Sequence, residues 1–143
     1  VRIALGSDDA APLADALAQQ LRDRGHEVVA FGALHDAADD SWPHAGRAVG
    51  EAVAHGDCDF GIVCCWTGTG VCIAANKVPG VRAALCGDAQ TAAGAREWND
   101  TNVLCLSIRA TSVAVALEIV DAWFAGRPTA DPRYAAMIRE ATG

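Results

Sequence analysis

Five short apolar runs alternate with longer stretches of helical period, and no other feature of the chain restricts its fold so tightly. The runs are Arg2 to Gly6, Glu27 to Phe31, Phe60 to Cys65, Ala83 to Cys86 and Val103 to Ser107. Strand followed by helix, with no linker, repeat or low-complexity tract between them, predicts a parallel α/β sheet. The helices are legible from their spacing and their ends. Leu13, Leu17 and Leu21 recur every fourth residue on one buried face, and Gly25 stops that helix. Pro43 stands near the start of a second helix over Ala45 to His55, with Gly56 just past its end. A short third helix begins within Gly70 to Asn76, a fourth spans Ala89 to Trp98, and Ser112 caps a fifth that runs to Ala125. Right-handed crossovers return each strand to one doubly wound sheet. Ligands of such sheets sit outside the carboxyl ends of the strands, where the strand order reverses. For the order 2-1-3-4-5 that crevice lies between the first and third strands. Its lining loops are Gly6-Ser7-Asp8-Asp9-Ala10 and Cys64-Cys65-Trp66-Thr67-Gly68-Thr69-Gly70.

The 143 residues and 52% hydrophobic content predict a single domain, residues 1–143, around one substantial core. A formal charge of -7 and a single lysine, Lys77, leave no basic cluster for a phosphate backbone, so a small molecule rather than nucleic acid is the expected partner. No stretch approaches the roughly 20 apolar residues of a membrane span, and Val1 to Leu5 is a short run for a signal sequence. A cytoplasmic protein without membrane contact is expected. Cys58, Cys64, Cys65, Cys72, Cys86 and Cys105 lie in or beside apolar runs and are expected reduced. No Cys-x-x-Cys pair occurs, and His26, His35, His44 and His55 lack ligand spacing, so no metal is expected.

Cys64 and Cys65 point to opposite faces of their strand, which disfavours both a shared ion and an unstrained bridge. One belongs to the core and the other is available at the strand end. A thiol there faces backbone N–H groups of the glycine turn and the next helix, which favour an ionised form. The competing reading makes both thiols small core hydrophobes. Thr67-Gly68-Thr69-Gly70 lacks the Lys-Ser/Thr of a P-loop and the spacing of a dinucleotide fingerprint. It reads either as a plain strand-to-helix turn or as a backbone cradle for an anion or enediolate oxygen. Asp8 and Asp9 are either a solvated pair or hydroxyl-binding carboxylates, one with a pKa raised by its like-charged neighbour. Trp98-Asn99-Asp100-Thr101-Asn102 reads at its plainest as a turn and cap. Arg109 follows the last strand at the ligand end, either as a surface side chain or as a ligand contact.

Together these loops resemble the ribose-5-phosphate isomerase B and galactose-6-phosphate isomerase family. The resemblance runs from Gly6-Ser7-Asp8 through Cys65 to Gly70 and the block Ile73-Ala74-Ala75-Asn76-Lys77-Val78-Pro79-Gly80-Val81-Arg82-Ala83-Ala84. It continues through Asn99-Asp100-Thr101-Asn102-Val103-Leu104 and Ile119-Val120-Asp121-Ala122-Trp123. It implies a Rossmann-like three-layer sandwich with a five-stranded parallel sheet of order 2-1-3-4-5. It also implies a homodimer, with a tetramer as a further step, whose sites are shared between subunits. The implied activity is aldose–ketose isomerisation through a cis-enediolate, without metal or cofactor. In that scheme Cys65 is the base that moves a proton between C2 and C1, and Thr67 assists transfer between the substrate oxygens. The N–H groups of Gly68, Thr69 and Gly70 hold the oxyanion.

Departures from the family pattern bear on the substrate. Asp9 stands where the family has the His of Gly-Ser-Asp-His-Ala, and Trp98 where it has the ring-opening His of His-Asn-Asp. Arg133 aligns with the first of two arginines, four apart, that grip the phosphate, and Met137 replaces the second. Trp66 replaces a glycine and Trp42 a common tyrosine. Losing an arginine and gaining a carboxylate disfavours a dianion, because like charges at low dielectric repel by on the order of several kcal/mol. Indole cannot serve as an acid in place of imidazole. Asp9 or His44 then opens the ring, the substrate is already open, or activity is lost. The tryptophan faces suit stacking on the apolar face of a sugar or polyol. The expected substrate is a sugar or sugar phosphate, with Cys65, Thr67 and Asp9 catalytic. Its expected contacts are Asp8, Trp42, His44, Trp66, Gly68, Thr69, Gly70, Trp98, Asn99, Arg109 and Arg133. The alternatives are a non-catalytic sugar-binding or regulatory homologue and, against the strand geometry, a redox protein using Cys64 and Cys65.

Overall fold

Strand and helix alternate in the structure, a computed structural model that describes residues 1–142. The order is β1 (Arg2–Ser7), α1 (Pro12–Asp23), β2 (Glu27–Gly32), α2 (Trp42–Ala54), β3 (Phe60–Cys65) and α3 (Thr69–Asn76). It continues with β4 (Ala83–Leu85), α4 (Ala89–Asn99), β5 (Val103–Ser107), α5 (Val113–Ala125) and α6 (Pro132–Thr142). The helix ends follow local chemistry. The Ser112 hydroxyl accepts the Val115 N–H at 3.2 Å and starts α5. The second helix begins at Trp42, ahead of the expected Ala45. There the Ser41 hydroxyl accepts the His44 N–H at 3.3 Å, and Pro43 sits in the first turn, where its fixed φ is an advantage. No sequence expectation covers α6, and none of its residues is buried. No helix among the described residues is long and apolar enough to cross a membrane.

All strand pairings are parallel, and the sheet order is β2-β1-β3-β5-β4. This corrects the expected 2-1-3-4-5 by exchanging the last two strands. The physical reason lies in the strands themselves. Val103, Leu104, Cys105 and Leu106 of β5 are all fully buried, so this strand gains from neighbours on both sides, whereas three-residue β4 is half-buried or exposed throughout and suits an edge. The order still reverses between β1 and β3, so the crevice stays where the sequence puts it.

Side chains alternate between two cores of different grain. Ile3, Leu5, Ile62, Leu104 and Leu106 face Leu13, Leu17, Leu21, Ile119 and Trp123 of α1 and α5. The other face carries the smaller Ala4, Val63, Cys65, Val103 and Cys105, and α2 and α3 lie on it. Small residues bring these two helices close. A Cβ on Gly61 would lie 2.5 Å from Val49 of α2, and one on Gly46 would lie 2.6 Å from the Val71 carbonyl of α3. This close approach sets the first turn of α2, with Trp42, directly over Gly70.

The polar segment before β5 is largely a latch. Asp100 adopts the left-handed conformation (φ 46°) and ends α4. Buried Arg96 lies between the rings of Phe60 and Trp123, at 5.0 and 5.1 Å, donates to the Thr101 carbonyl and pairs with Asp100 at 3.6 Å. The Asn102 side chain accepts the Arg82 N–H at 2.8 Å and donates to the Gly80 carbonyl at 3.0 Å. The turn-and-cap reading thus describes Asp100 and Asn102.

Candidate active site

Cys65 closes β3 at the carboxyl edge of the sheet, and the loop after it is pinned to the end of β5. The Cys65 carbonyl accepts the Ile108 N–H at 2.9 Å. The Trp66 carbonyl accepts both the Arg109 N–H at 2.9 Å and the Ser107 hydroxyl at 3.0 Å. Gly68 then turns the chain into α3 in the left-handed region (φ 77°), packed so closely that a Cβ would stand 3.0 Å from the Leu106 carbonyl oxygen. No side chain caps α3, which leaves the N–H groups of its first turn free for an anionic oxygen. The Thr67 and Thr69 hydroxyls, both exposed, are 2.7 Å apart.

The two adjacent thiols separate as their strand positions require. Cys64 belongs to the α1/α5 core, and burial pushes its thiol up to about 12. Cys65 belongs to the opposite cluster and is 5% exposed. The thiol expected to be available is therefore mostly covered by the packing under α2 and α3. All six cysteines carry free thiols. Among the described residues no three His, Cys, Asp or Glu side chains gather into a group that could hold a metal ion.

Two cavities flank the loop. One of about 390 Å³ is lined by Asp8, Asp9, Asp40, Trp66 and Ile108. Burial, followed by the charges of Asp9 and Asp40, raises the Asp8 carboxyl above its usual range, although its backbone hydrogen bond works the other way. A tight turn fixes the neighbouring backbone: the Ser7 hydroxyl donates to the Asp9 carbonyl at 2.7 Å, and the Asp9 N–H donates back to it at 3.2 Å. The other cavity, of about 400 Å³, brings Thr67 together with Arg109, Ser107 and the Cys86-Gly87 turn. Trp66 lines the first and Thr67 the second, on either side of one loop. Trp42 packs against Gly70, where a Cβ would lie 2.8 Å from the indole. His44, on the same helical turn, faces Asp39 at 3.7 Å. Asp40 and Ser107 also line these cavities, and the motifs did not single them out. Their signal was positional: Asp40 lies in the loop after β2 and Ser107 ends β5, the strands next to β1 and β3.

Trp98, Asn99 and Arg133 are not brought to this end of the chain. The Asn102 carbonyl accepts the Gly61 N–H at the start of β3, so the end of α4 lies at the amino edge of the sheet. Four strand steps at roughly 3.3 Å each set it on the order of 13 Å from Cys65 along the strand direction. There Trp98, Asn99, Arg82, Tyr134 and Met137 line a groove of about 680 Å³ beneath α6. The Arg133 guanidinium lies 5.8 Å from the Tyr134 ring centroid.

Known proteins share this sequence pattern and this fold. The Ribose/Galactose Isomerase family model matches residues 3–140. The chain is 41% identical over 123 residues to ribose-5-phosphate isomerase B of Escherichia coli strain K12, a match covering 85% of this chain and 82% of that protein. It is 36% identical over 120 residues to galactose-6-phosphate isomerase subunit LacB of Clostridium acetobutylicum, covering 83% and 69%. The solved structure of Clostridium thermocellum ribose-5-phosphate isomerase B matches with a TM-score of 0.93 at 40% identity, over 99% of this chain and 95% of that one. Matched by the family model over residues 3–140 and by relatives 36–41% identical over more than four fifths of its length, the chain belongs to the ribose/galactose isomerase family.

Proposed function

We propose that the chain is a single-domain aldose–ketose isomerase whose chemistry is carried by the loop from Cys65 to Gly70. The observation that supports this most is the union, at one strand end, of a thiol, a free helix N-terminus and the Thr67 hydroxyl. Cys65 takes the proton from C2 of the aldose and returns it to C1. The uncapped N–H groups at the start of α3 hold the enediolate oxygen as charge develops. Thr67 carries a proton between the two substrate oxygens. Asp8 binds a substrate hydroxyl, and Asp9 is the candidate ring-opening group, its carboxylate taking the proton of the anomeric hydroxyl and passing it to the ring oxygen. No cofactor is needed for these steps.

The substrate we propose is a sugar or sugar phosphate, with ribose 5-phosphate disfavoured. Carboxylates only accept hydrogen bonds when ionised, so Asp8, Asp9 and Asp40 match hydroxyl donors and repel a phosphate dianion, while Trp66 offers a face for the carbon chain. We also propose a homodimer with shared sites, because Trp98, Asn99 and Arg133 can meet Cys65 only from a second copy. One experiment tests the chemistry and the sharing. Cys65→Ala should keep its fold and lose deuterium exchange at C2 in deuterium oxide. Mixed with Asn99→Ala and reassociated, it should recover activity at about a quarter of the sites, as random pairing in a two-fold dimer dictates. Unchanged exchange in Cys65→Ala alone removes Cys65 as the base, and absence of recovery removes the sharing. A second reading, a non-catalytic sugar-binding homologue, draws on the 5% exposure of Cys65 and predicts binding without any exchange.

A further inference from the structure

Thr67 has a second hydroxyl at its side. Its Oγ1 lies 2.7 Å from Thr69 Oγ1, the distance of a well-formed O–H···O bond. Hydroxyls at helix starts usually cap the helix, yet neither does so here: the cap position is Gly68, no side chain caps α3, and Thr69 makes no other side-chain hydrogen bond among the described residues. The pair is held from both sides. The Trp66 carbonyl before it is fixed by Ser107 and Arg109, Gly68 between them is wedged against Leu106, and Thr69 is the first residue of α3. Both side chains are β-branched and restricted at χ1. A hydroxyl has one proton and two lone pairs, and only one proton fits between two oxygens. When Thr69 supplies that proton, the proton of Thr67 is left free to point into the cavity it shares with Arg109.

We infer that Thr69 is a positioning residue for isomerisation: its O–H fixes the Thr67 hydroxyl as a donor toward substrate and stabilises the Thr67 oxygen while a proton passes. Thr67 gives its proton to one oxygen of the enediolate and takes the proton of the other, so both threonines end as they began. The O–H bond of Thr69 is never broken. The inference rests on the role proposed above for Thr67, and its test separates the two.

Full-length Thr69→Val, Thr69→Ser and Thr67→Val are compared by NMR in deuterium oxide, with ribose 5-phosphate, galactose 6-phosphate and free ribose as probes. Thr69→Val should lower kcat for conversion about tenfold, the worth of one hydrogen bond to a partly charged oxygen, with KM within about twofold. Because carbon–proton transfer by Cys65 is untouched, deuterium wash-in to recovered aldose should fall less than conversion, raising the exchange-to-conversion ratio. Thr69→Ser should restore both. If Thr67→Val is impaired and Thr69→Val matches the wild type, the inference is overturned and Thr67 keeps its role. If Thr67→Val converts normally, both are overturned, as they are if the wild type exchanges none of the probes. A loss in Thr69→Val that lowers exchange and conversion equally, or that Ser does not restore, marks a role in starting α3 and overturns the inference.

Discussion

Replacing Gly68 by alanine separates two costs that the loop imposes on its glycine. The first is conformational, since Gly68 sits at φ 77°, where an L side chain costs about 1–2 kcal/mol. The second is steric. A Cβ would lie 2.5 Å from the Leu85 side-chain tip and 3.0 Å from both the carbonyl carbon and oxygen of Leu106. Leu85 is 38% exposed and can swing aside. The Leu106 main chain cannot, because it is held in β5 opposite Cys64, so about 1–3 kcal/mol of overpacking is added. Gly25→Ala supplies the control: its φ is 86°, but nothing lies within 4 Å of the added carbon. Gly25→Ala should therefore lose about 1–2 kcal/mol and Gly68→Ala about 2–5 kcal/mol. For a chain of this length that difference lowers Tm by roughly a further 3–9 °C. Thermal and urea unfolding followed by circular dichroism measure both, with m-values expected to match. Equal losses in the two variants would refute the reasoning, because they would mean that the β5 backbone yields to the new methyl.

Calorimetry with ribose 5-phosphate should give weak binding to the wild-type chain and roughly tenfold tighter binding to Asp9→Asn, since removing one screened like charge contributes about 1.4 kcal/mol; tight binding by the wild type would contradict the reading of the Asp8, Asp9 and Asp40 cavity. Thiol ionisation should shape stability at high pH. Burial raises Cys64 to about 12 and Cys86 to about 11, from a usual value of 9.0. Their contribution is intact below the unfolded value and declines as pH rises toward 11 and 12, because the unfolded chain releases protons that the fold retains. Cys72 acts in the opposite sense. Its hydrogen bond with Cys105, working against burial, lowers it to about 7, so the stability it adds is present above 9 and lost as pH falls through 7. Urea midpoints should therefore be greatest near pH 9, and Cys64→Ala should soften the alkaline decline; a midpoint that stays level from pH 9 to 11 would contradict this.

How far the chain could be read depended on the range of each signal. The first helix announced itself because Leu13, Leu17 and Leu21 repeat within one element, and β3 because its apolar run is bounded by turns. Opposed directions for Cys64 and Cys65 follow from strand geometry alone, and the two cores take them as expected. The exchange of β4 and β5 was not legible, because strand order depends on which strand is buried on both edges, a property of the assembled sheet. Helix α6 escaped although Tyr134, Met137, Ile138 and Ala141 repeat at helical spacing: that stripe lines the groove at the amino edge, and no residue of the helix is buried. Asp100 and Asn102 share a motif with the site candidate Asn99, yet they follow the turn-and-cap reading, their hydrogen bonds going to the protein's own backbone and arginines. Distance along the sequence also hid the division of the candidate site, since nothing local reveals that Asn99 lies at one edge of the sheet and Cys65 at the other.

The exposed tryptophans show how geometry narrows an expectation that composition left open. Trp42, Trp66 and Trp98 are 44%, 61% and 49% exposed, and all three were candidates to stack on a sugar. Trp42 lies on Gly70 and Trp98 on Gly94, where a Cβ would come within 2.8 Å of either ring. One face of each indole is therefore occupied by a helix surface that only glycine leaves flat enough. These two rings are held as walls, Trp42 at the start of α3 and Trp98 in the groove beneath α6. Trp66 has no such seat. It follows Cys65 directly, its carbonyl is fixed by Ser107 and Arg109, and its ring lines the carboxylate cavity with Ile108. A rigid backbone with an uncovered aromatic face is the arrangement that loses least entropy on meeting a flat apolar ligand surface. We therefore propose Trp66 as the first stacking partner, and a smaller side chain there should weaken sugar binding more than the same change at Trp42, whose loss would instead loosen the contact between α2 and α3.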